Sequence, residues 1–335
     1  MEIAVIPLLV VVVASIFQGS FGLGMKFMAP LKWESWWLVH SVVAMLLFPM
    51  VWAFCVVPDL LGIIAQASFA TIGMAMFFGF LWGIGGILFG KCVPYIGMSL
   101  TYGIVMGVCS AVGCLIPFFQ LDDAMSLPSF PYVIGGVMVM LIGVAFTAYA
   151  GILRDKHKAA SETKIQLKAG LTIALVSGVL SALLNVGFSN AQPISQLAIA
   201  HGVAVRQASF AAWVVVLWGA FLMNGGYAIY LLTKNKTWGS FQTPQAQSAY
   251  KWSIIAGLCW FGALGIYGQG AALMGDMGPV IGWPILLGLS LIVSNVWAYL
   301  NHEWKAAAKP FAWLLVGLAI LLVATVILGY ANGVH

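Results

Sequence analysis

The feature that most constrains this sequence is a series of long apolar runs, each about 20 residues in length. As a helix, a run of this length crosses roughly 30 Å of hydrocarbon. Strands of a membrane barrel would instead alternate in polarity over about 10 residues, which these runs do not. Hydrophobic residues make up 62% of the chain and charged residues 7%, which excludes a soluble globule and a disordered chain. The sequence therefore predicts an all-α integral membrane protein.

Charged residues, prolines and glycine clusters divide the apolar sequence into ten predicted transmembrane helices, which we call spans 1 to 10. Their predicted limits are 3–24, 36–57, 69–90, 97–119, 131–151, 169–191, 207–232, 252–273, 279–300 and 310–330. The first run has no basic segment before it and leads into further spans, so we interpret it as a retained helix and not as a signal peptide. The most polar interruption predicts a division into a first five-helix repeat (1–151), a cytoplasmic linker (152–168) and a second five-helix repeat (169–335).

Basic residues are distributed unevenly between the two sides of these spans. Thirteen of the 14 Lys and Arg residues fall in odd-numbered connections, and only Arg206 falls in an even-numbered one. The positive-inside rule then predicts cytoplasmic odd-numbered connections and two termini on the outer side. The basic balance therefore indicates topology, and it does not indicate nucleic-acid binding. Seven tryptophans beside these charges are predicted to anchor the chain at the interface: Trp33, Trp36, Trp37, Trp238, Trp252, Trp304 and Trp313.

Five spans in each half mean that the second half enters the membrane from the opposite side. Two halves of the same fold would then form an inverted repeat, an architecture of secondary transporters with a substrate site near the midplane. No span has a carboxylate near its centre, although proton-coupled carriers usually bury an ionisable group. The candidates for proton coupling are Asp276, His40 and Glu34. The alternatives are loop acids for Asp276 and Glu34, and a histidine bonded to a neighbouring helix for His40.

Uncharged polar side chains inside the spans are the second group of candidates. Such groups are costly to leave unpaired in hydrocarbon, and they suit a neutral polyhydroxylated ligand because they donate and accept without a counter-charge. We predict that Gln18, Asn185, Gln269 and Asn295 bond sugar hydroxyls. Trp82 and Trp260 lie deep in their spans, and we predict that they stack on a sugar ring. Interhelical hydrogen bonds for the amides and core packing for the tryptophans are the alternative interpretations.

Motifs for other kinds of chemistry are absent from the sequence. It has no GxSxG elbow, HExxH helix or phosphate-binding loop, and its five cysteines are scattered through apolar runs. We therefore expect no cofactor, metal site or enzymatic activity. Glycines at four-residue spacing, including Gly79 with Gly83 and Gly86 with Gly90, predict close helix packing. Pro49 and Pro284 lie inside spans 2 and 9, where a lost backbone bond can kink a helix.

One segment carries a family resemblance. Residues 78–100 read FGFLWGIGGILFGKCVPYIGMSL, with the distinctive stretches WGIG (82–85) and YIGMS (95–99). This segment strongly resembles the third-to-fourth-span region of the L-rhamnose/proton symporter family, within the drug/metabolite transporter superfamily. The stretches KWE (32–34) and HEW (302–304), with Lys305, Lys309 and Pro310, are also similar to family landmarks.

The resemblance implies ten spans in a five-plus-five inverted repeat. It further implies import of L-rhamnose or a close deoxy sugar, driven by the proton gradient across a bacterial inner membrane. In that membrane the positive-inside rule predicts both termini in the periplasm. The partners are then the monosaccharide, the proton and the lipid bilayer. Two alternatives remain open. A proton-independent facilitator or metabolite exporter of the same superfamily is favoured by the missing midplane carboxylate, and a membrane enzyme is the third hypothesis.

Overall fold

A computed structural model describes residues 5–158, 167–244, 246–305 and 307–334, and these residues form helices and turns without a strand. Ten helices are long and apolar enough to cross a membrane, which confirms the predicted number. They comprise Val5–Phe27, Trp33–Val56, Phe69–Ile96, Met98–Phe119, Phe130–Asp155, Leu167–Ala200, Val205–Lys234, Gln247–Leu273, Gly275–Leu300 and Ala308–Gly333. Residues 159–166 of the predicted linker, and the predicted start of span 1 at residues 3 and 4, lie outside the described residues.

Several helices extend beyond the predicted limits because an apolar run marks only the part of a helix that lies in hydrocarbon. Span 3 continues through Lys91 and Pro94 to Ile96, where the sequence predicted an end at residue 90. Span 6 consists of the long helix Leu167–Asn190 and, after a turn at Ala191, the short helix Gln192–Ala200. A second short helix, Leu60–Gln66, joins spans 2 and 3. It contacts the short helix Gln192–Ala200.

Two spans are irregular where the sequence places proline. In span 2, the π-helical stretch Val42–Leu47 lies directly before the helical segment that contains Pro49. In span 9, the π-helical stretch Gly278–Gly282 lies directly before the segment that contains Pro284. Proline has no backbone N–H, and its ring displaces the carbonyl one turn earlier in the helix. The backbone before each proline therefore forms the wider turn of a π-helix. The sequence-based expectation of altered helices at both prolines is therefore confirmed.

The packing partners of the spans correspond between the two halves of the chain. Span 1 packs on spans 8 and 9, and span 6, five positions later, packs on spans 3 and 4. Span 3 contacts span 7, and span 8, its counterpart in the second half, contacts span 2. Spans 5 and 10, which correspond to each other, pack against each other at one side. Each of these contacts made by a span of one half therefore has an equivalent contact made by the span five positions away in the other half. Such a correspondence is expected of two halves with equivalent folds.

The predicted glycine contacts divide into two groups. A Cβ atom on Gly79 would overlap the carbonyl oxygen of Val216 in span 7, and one on Gly83 would lie 2.7 Å from the Cβ atom of Met223. Spans 3 and 7 therefore approach closely at these positions, as predicted. Gly86 and Gly90 have open space where a Cβ atom would stand, so the prediction of packing was wrong for this pair.

Candidate functional site

A cavity opens on the membrane face where both described ends of the chain lie, which we call the terminal face. The opposite face, where span 5 ends and span 6 begins, is the linker face. The cavity, which we call the vestibule, has a volume of about 520 Å³. It lies among the ends of spans 4, 6 and 8, the starts of spans 7 and 9, and the short helix Gln192–Ala200. Its lining residues are Pro117, Gln120, Leu121, Ser189, Asn190, Gln192, Pro193, Ser195, Gln196, Ile199, Val205, Ala271, Ala272, Gly275, Asp276 and Pro279.

The polar lining of the vestibule is mostly uncharged. Amide and hydroxyl side chains come from spans 4 and 6 and from the short helix, and no lysine or arginine is among the described residues that line it. Asp276, a predicted candidate for proton coupling, is exposed and contributes the carboxylate of the lining. The hydroxyl of Ser195 is buried and has no hydrogen-bond partner within the described residues. The vestibule therefore offers both donors and acceptors to a ligand.

Asn185, a predicted sugar-binding residue, lies below the vestibule and is fully buried. Its Nδ2 atom donates to the carbonyl oxygens of Gly113 and Pro279, each at 2.8 Å. Its Oδ1 atom accepts a hydrogen bond of 2.6 Å from the hydroxyl of Tyr267. This network joins spans 4, 6, 8 and 9. Because both amide donors are used inside the protein in this conformation, a role for Asn185 in sugar binding stays a prediction.

A cluster of aromatic rings surrounds His40 deeper in the protein, toward the linker face. The imidazole stacks on two neighbours in its own helix, Trp36 at 5.4 Å and Trp37 at 4.9 Å between ring centroids. The ring of Trp260 makes an edge-to-face contact with it, at 6.3 Å between ring centroids. The backbone of Ser253 in span 8 lies close enough for a weak hydrogen bond with the ring, although no bond of ordinary length and angle reaches either ring nitrogen among the described residues. His40 is only 1% exposed, so a titratable group is buried here with little hydrogen bonding. The alternative interpretation, a histidine bonded to a neighbouring helix, stays open.

The predicted stacking residues belong to the same aromatic cluster. Trp82 and Trp260 lie 5.2 Å apart between ring centroids and join span 3 to span 8. Trp82 is half-buried, whereas Trp260 is buried. On the far side of His40, the indole N–H of Trp37 donates to the Oδ1 atom of Asn224 in span 7 at 3.1 Å. The structure thus brings His40, Trp82 and Trp260 together.

The other three predicted amides lie outside this cluster. Gln269 and Asn295 each donate to a carbonyl oxygen of their own helix, at Gly265 and Leu291. Gln18 has a buried Oε1 atom that no described residue bonds. Among the described residues, no hydrogen bond joins these three amides to one another or to Asn185. Their roles in sugar binding stay predictions.

The linker face is joined by contacts between the two halves. Glu303, between spans 9 and 10, accepts from Lys26 of span 1 at 2.6 Å and from Arg154 of span 5 at 3.3 Å. The guanidinium of Arg154 also lies 4.8 Å from the ring centroid of Trp304. Glu34, the third candidate for proton coupling, is buried at the start of span 2. It accepts hydrogen bonds from two side chains that follow span 7, the Thr237 hydroxyl at 2.6 Å and the Asn235 amide at 3.2 Å.

The structure corrects two sequence-based assignments on this side and adds three residues. Trp36 and Trp304 are buried inside the protein, so their predicted role as interface anchors was wrong. A charged neighbour in the sequence indicates that a tryptophan lies near the membrane boundary, but it does not indicate whether the ring faces lipid or the protein interior. Sequence reasoning also missed Trp37, Asn224 and Tyr267 as members of the buried networks. Asn224 carried the same signal as the chosen amides, a polar side chain inside an apolar run. For Tyr267 the signal was weaker, since tyrosine is common at interfaces.

Within the described parts of the chain, no group of three or more His, Cys, Asp and Glu side chains could hold a metal ion. The cysteines among these residues are free thiols.

Comparison with known proteins gives one consistent match. Residues 2–333 match the family model described as L-rhamnose-proton symport protein. The L-rhamnose-proton symporters of Yersinia pestis (strain Pestoides F) and Yersinia pseudotuberculosis (serotype O:1b, strain IP 31758) are each 28% identical to this chain over 318 residues. These alignments cover 90% of this chain and 92% of each relative. The similarity therefore extends over nearly the whole sequence, including both halves and the connection between them.

Proposed function

The chain belongs to the L-rhamnose-proton symport family, and we propose that it imports L-rhamnose or a close deoxy sugar by proton symport through alternating access. Membership in a family of proton-coupled sugar carriers makes it a transporter and not an enzyme. The observation that carries the proposed mechanism is an asymmetry between the two faces. A vestibule of about 520 Å³ is open on the terminal face, while Glu303 joins spans 1 and 5 to the second half on the linker face.

The proposed orientation places the terminal face in the periplasm and the linker face in the cytoplasm of a bacterium, within the inner membrane. Basic side chains support it, because Lys26, Lys91, Arg154 and Lys234 stand near the linker-face ends of their spans, and Lys305 lies in the connection between spans 9 and 10 on the same face. The structure would then represent a state that is open to the outside. Sugar entering from the periplasm would meet the vestibule first and the aromatic cluster second.

We further propose that residues 1–151 and 169–335 are inverted repeats that move against each other. The correspondence between packing partners supports this division, since span 1 with spans 8 and 9 matches span 6 with spans 3 and 4. In inverted-repeat carriers the halves rock around a site between them. The π-helical stretches Val42–Leu47 and Gly278–Gly282 lie in spans 2 and 9, where irregular hydrogen bonding lowers the cost of bending.

In the proposed mechanism, Trp82 and Trp260 stack on the sugar ring and His40 carries the coupled proton. Its place in the aromatic cluster favours His40 over the two acids, because the ring contacts Trp36, Trp37 and Trp260 at the proposed sugar site, where a sugar hydroxyl could pair with a ring nitrogen. Glu34 is already bonded by two neighbours near the linker face, and Asp276 is exposed in the vestibule. Sugar and proton would then meet in one cluster, which is how binding of one can alter the affinity for the other.

Transport by purified protein in liposomes tests this function. We expect labelled L-rhamnose to exchange across the membrane without a gradient, and to accumulate when an inward proton gradient is imposed. The variant His40→Gln should keep exchange and lose gradient-driven accumulation, whereas His201→Gln, at an exposed histidine, should keep both. Exchange by the wild-type chain without accumulation would contradict symport and favour a facilitator or exporter. That alternative is supported by the lack of a carboxylate near the centre of any span.

A further inference from the structure

We propose that the vestibule is a distinct first binding site for a neutral deoxyhexose, separate from the site at Trp82 and Trp260. The inference rests on the proposed sugar import and adds a second site to it. A cavity of about 520 Å³ falls within the range of small-molecule sites, roughly 300–1,000 Å³. It is large enough for a monosaccharide together with bridging water.

The chemistry of the lining selects the class of ligand. Hydroxyl and amide groups such as Ser195, Asn190 and Gln192 can both donate and accept, which suits a ring of hydroxyl groups. Ser195 adds an independent sign of a missing ligand, because its hydroxyl is buried without a partner although hydrogen-bonding groups are rarely left so. Asp276 and the absence of a basic side chain from the described lining disfavour an anionic sugar.

The apolar part of the lining fits the deoxy position of the sugar. Pro117, Leu121, Ile199 and Val205 line the same cavity as the amides and hydroxyls. A 6-deoxyhexose carries a methyl group where an ordinary hexose carries a hydroxymethyl group. An apolar patch would bind the methyl group and would leave the additional hydroxyl of the ordinary hexose without a partner, which is a cost in affinity.

The depth of the two sites along span 8 separates them. Ala271, which lines the vestibule, lies eleven residues beyond Trp260, a rise of roughly 16 Å along a helix. Tyr267 lies between these two levels and donates to Asn185, which in turn donates to the carbonyl of the vestibule residue Pro279. The hydrogen-bonded network therefore forms a floor, and a sugar in the vestibule does not touch the aromatic cluster in this conformation.

Protection of an introduced cysteine tests for this first site. The full-length chain, with the exposed Cys55 replaced by serine, would be reconstituted in lipid nanodiscs so that a maleimide reaches both faces. L-rhamnose at ten times its dissociation constant should slow the labelling of Gln196→Cys, in the vestibule, by about tenfold. Labelling of the control Met125→Cys, exposed on the same face outside the cavity, should not change. Glucuronate, an anionic sugar, should protect neither cysteine.

A second pair of variants separates direct occupancy from closure caused by binding at the deeper site. Protection of Gln196→Cys should persist when Trp82→Ala is added, although L-rhamnose exchange should fall. A cooperative unfolding transition in detergent, close to that of the wild type, would show that the Trp82→Ala variant is folded, and Trp82→Phe provides a milder replacement. Loss of protection in both Trp82 variants would overturn the two-site proposal.

Exchange of L-rhamnose by the wild-type chain is measured in parallel, so that the two proposals can fail separately. Exchange without protection at Gln196→Cys would overturn the vestibule site and leave the sugar carrier intact. Protection without exchange would support the vestibule site and contradict L-rhamnose transport. Neither exchange nor protection would overturn both.

Discussion

Replacing Asn185 by alanine is expected to destabilise the folded protein strongly. The substitution Asn185→Ala deletes three hydrogen bonds at once, to Gly113, Pro279 and Tyr267. These bonds hold four spans together in a fully buried place. Two carbonyl oxygens and one phenol hydroxyl would be left without their partner, in a region with little water to replace it.

The size of the effect follows from the number of bonds. Hydrogen bonds between membrane helices contribute about 0.6 kcal/mol each on average, with a maximum of about 1.7 kcal/mol. Three of them therefore contribute about 2–5 kcal/mol, to which the space left by the amide adds a smaller cost. The variant Tyr267→Phe removes a single hydrogen bond and should lose about 0.6–1.7 kcal/mol.

A second asparagine in the same helix provides the matched control. The Asn190 side chain donates to the carbonyl of Val186 in its own helix and is half-buried, so Asn190→Ala should cost less than about 1 kcal/mol. The free energy of unfolding is measured in detergent with a denaturant. It should be highest for the wild type and Asn190→Ala, lower for Tyr267→Phe, and lowest for Asn185→Ala. Equal stability of the two alanine variants would refute the structural role of Asn185. A loss of L-rhamnose affinity by Asn185→Ala at unchanged stability would instead support direct sugar binding.

Three further predictions concern other parts of the molecule. Gly79→Ala should destabilise the protein by about 1–3 kcal/mol, because its methyl group would overlap span 7. Gly86→Ala, in open space on the same helix, should be neutral or stabilising by up to about 1 kcal/mol. Denaturant unfolding compares the two variants, and equal losses of stability would contradict the close packing at Gly79. Glu303→Gln should raise the labelling rate of a cysteine introduced at the linker face, because it weakens two ion pairs; an unchanged rate would exclude a role in closing that face. Glu34→Gln should keep gradient-driven accumulation of L-rhamnose, since an amide oxygen can accept the hydrogen bonds from Thr237 and Asn235. Loss of accumulation in this variant would assign the coupling role to Glu34 instead of His40.

The number of spans could be predicted from the sequence because the bilayer sets a fixed length for an apolar helix. Lengths outside the hydrocarbon were predicted less well: the apolar run of span 3 ends at Lys91, but the helix runs to Ile96. Inside the membrane a lysine is costly, while at its edge it is compatible with further helical turns. The positions of Pro49 and Pro284 predicted irregular helices, since the loss of a backbone donor is a local property.

The site was predicted only in part because hydropathy gives depth and not direction. His40, Trp82 and Trp260 were selected for their depth, and the structure brings them together across spans 2, 3 and 8. Asn185 and Asn295 have the same depth signal, yet one joins four spans and the other bonds its own helix. Which neighbour faces a given side chain depends on the rotation of each helix, and that is determined by contacts far apart in the sequence.

The arrangement around Glu303 has a consequence for the order of events in transport. Two cations from the first half, Lys26 and Arg154, contact the two oxygens of this one carboxylate in the second half, so a single side chain carries both ion pairs. Any event that withdraws the Glu303 carboxylate, whether a mutation or the movement that we propose for the two halves, therefore releases spans 1 and 5 from this contact together.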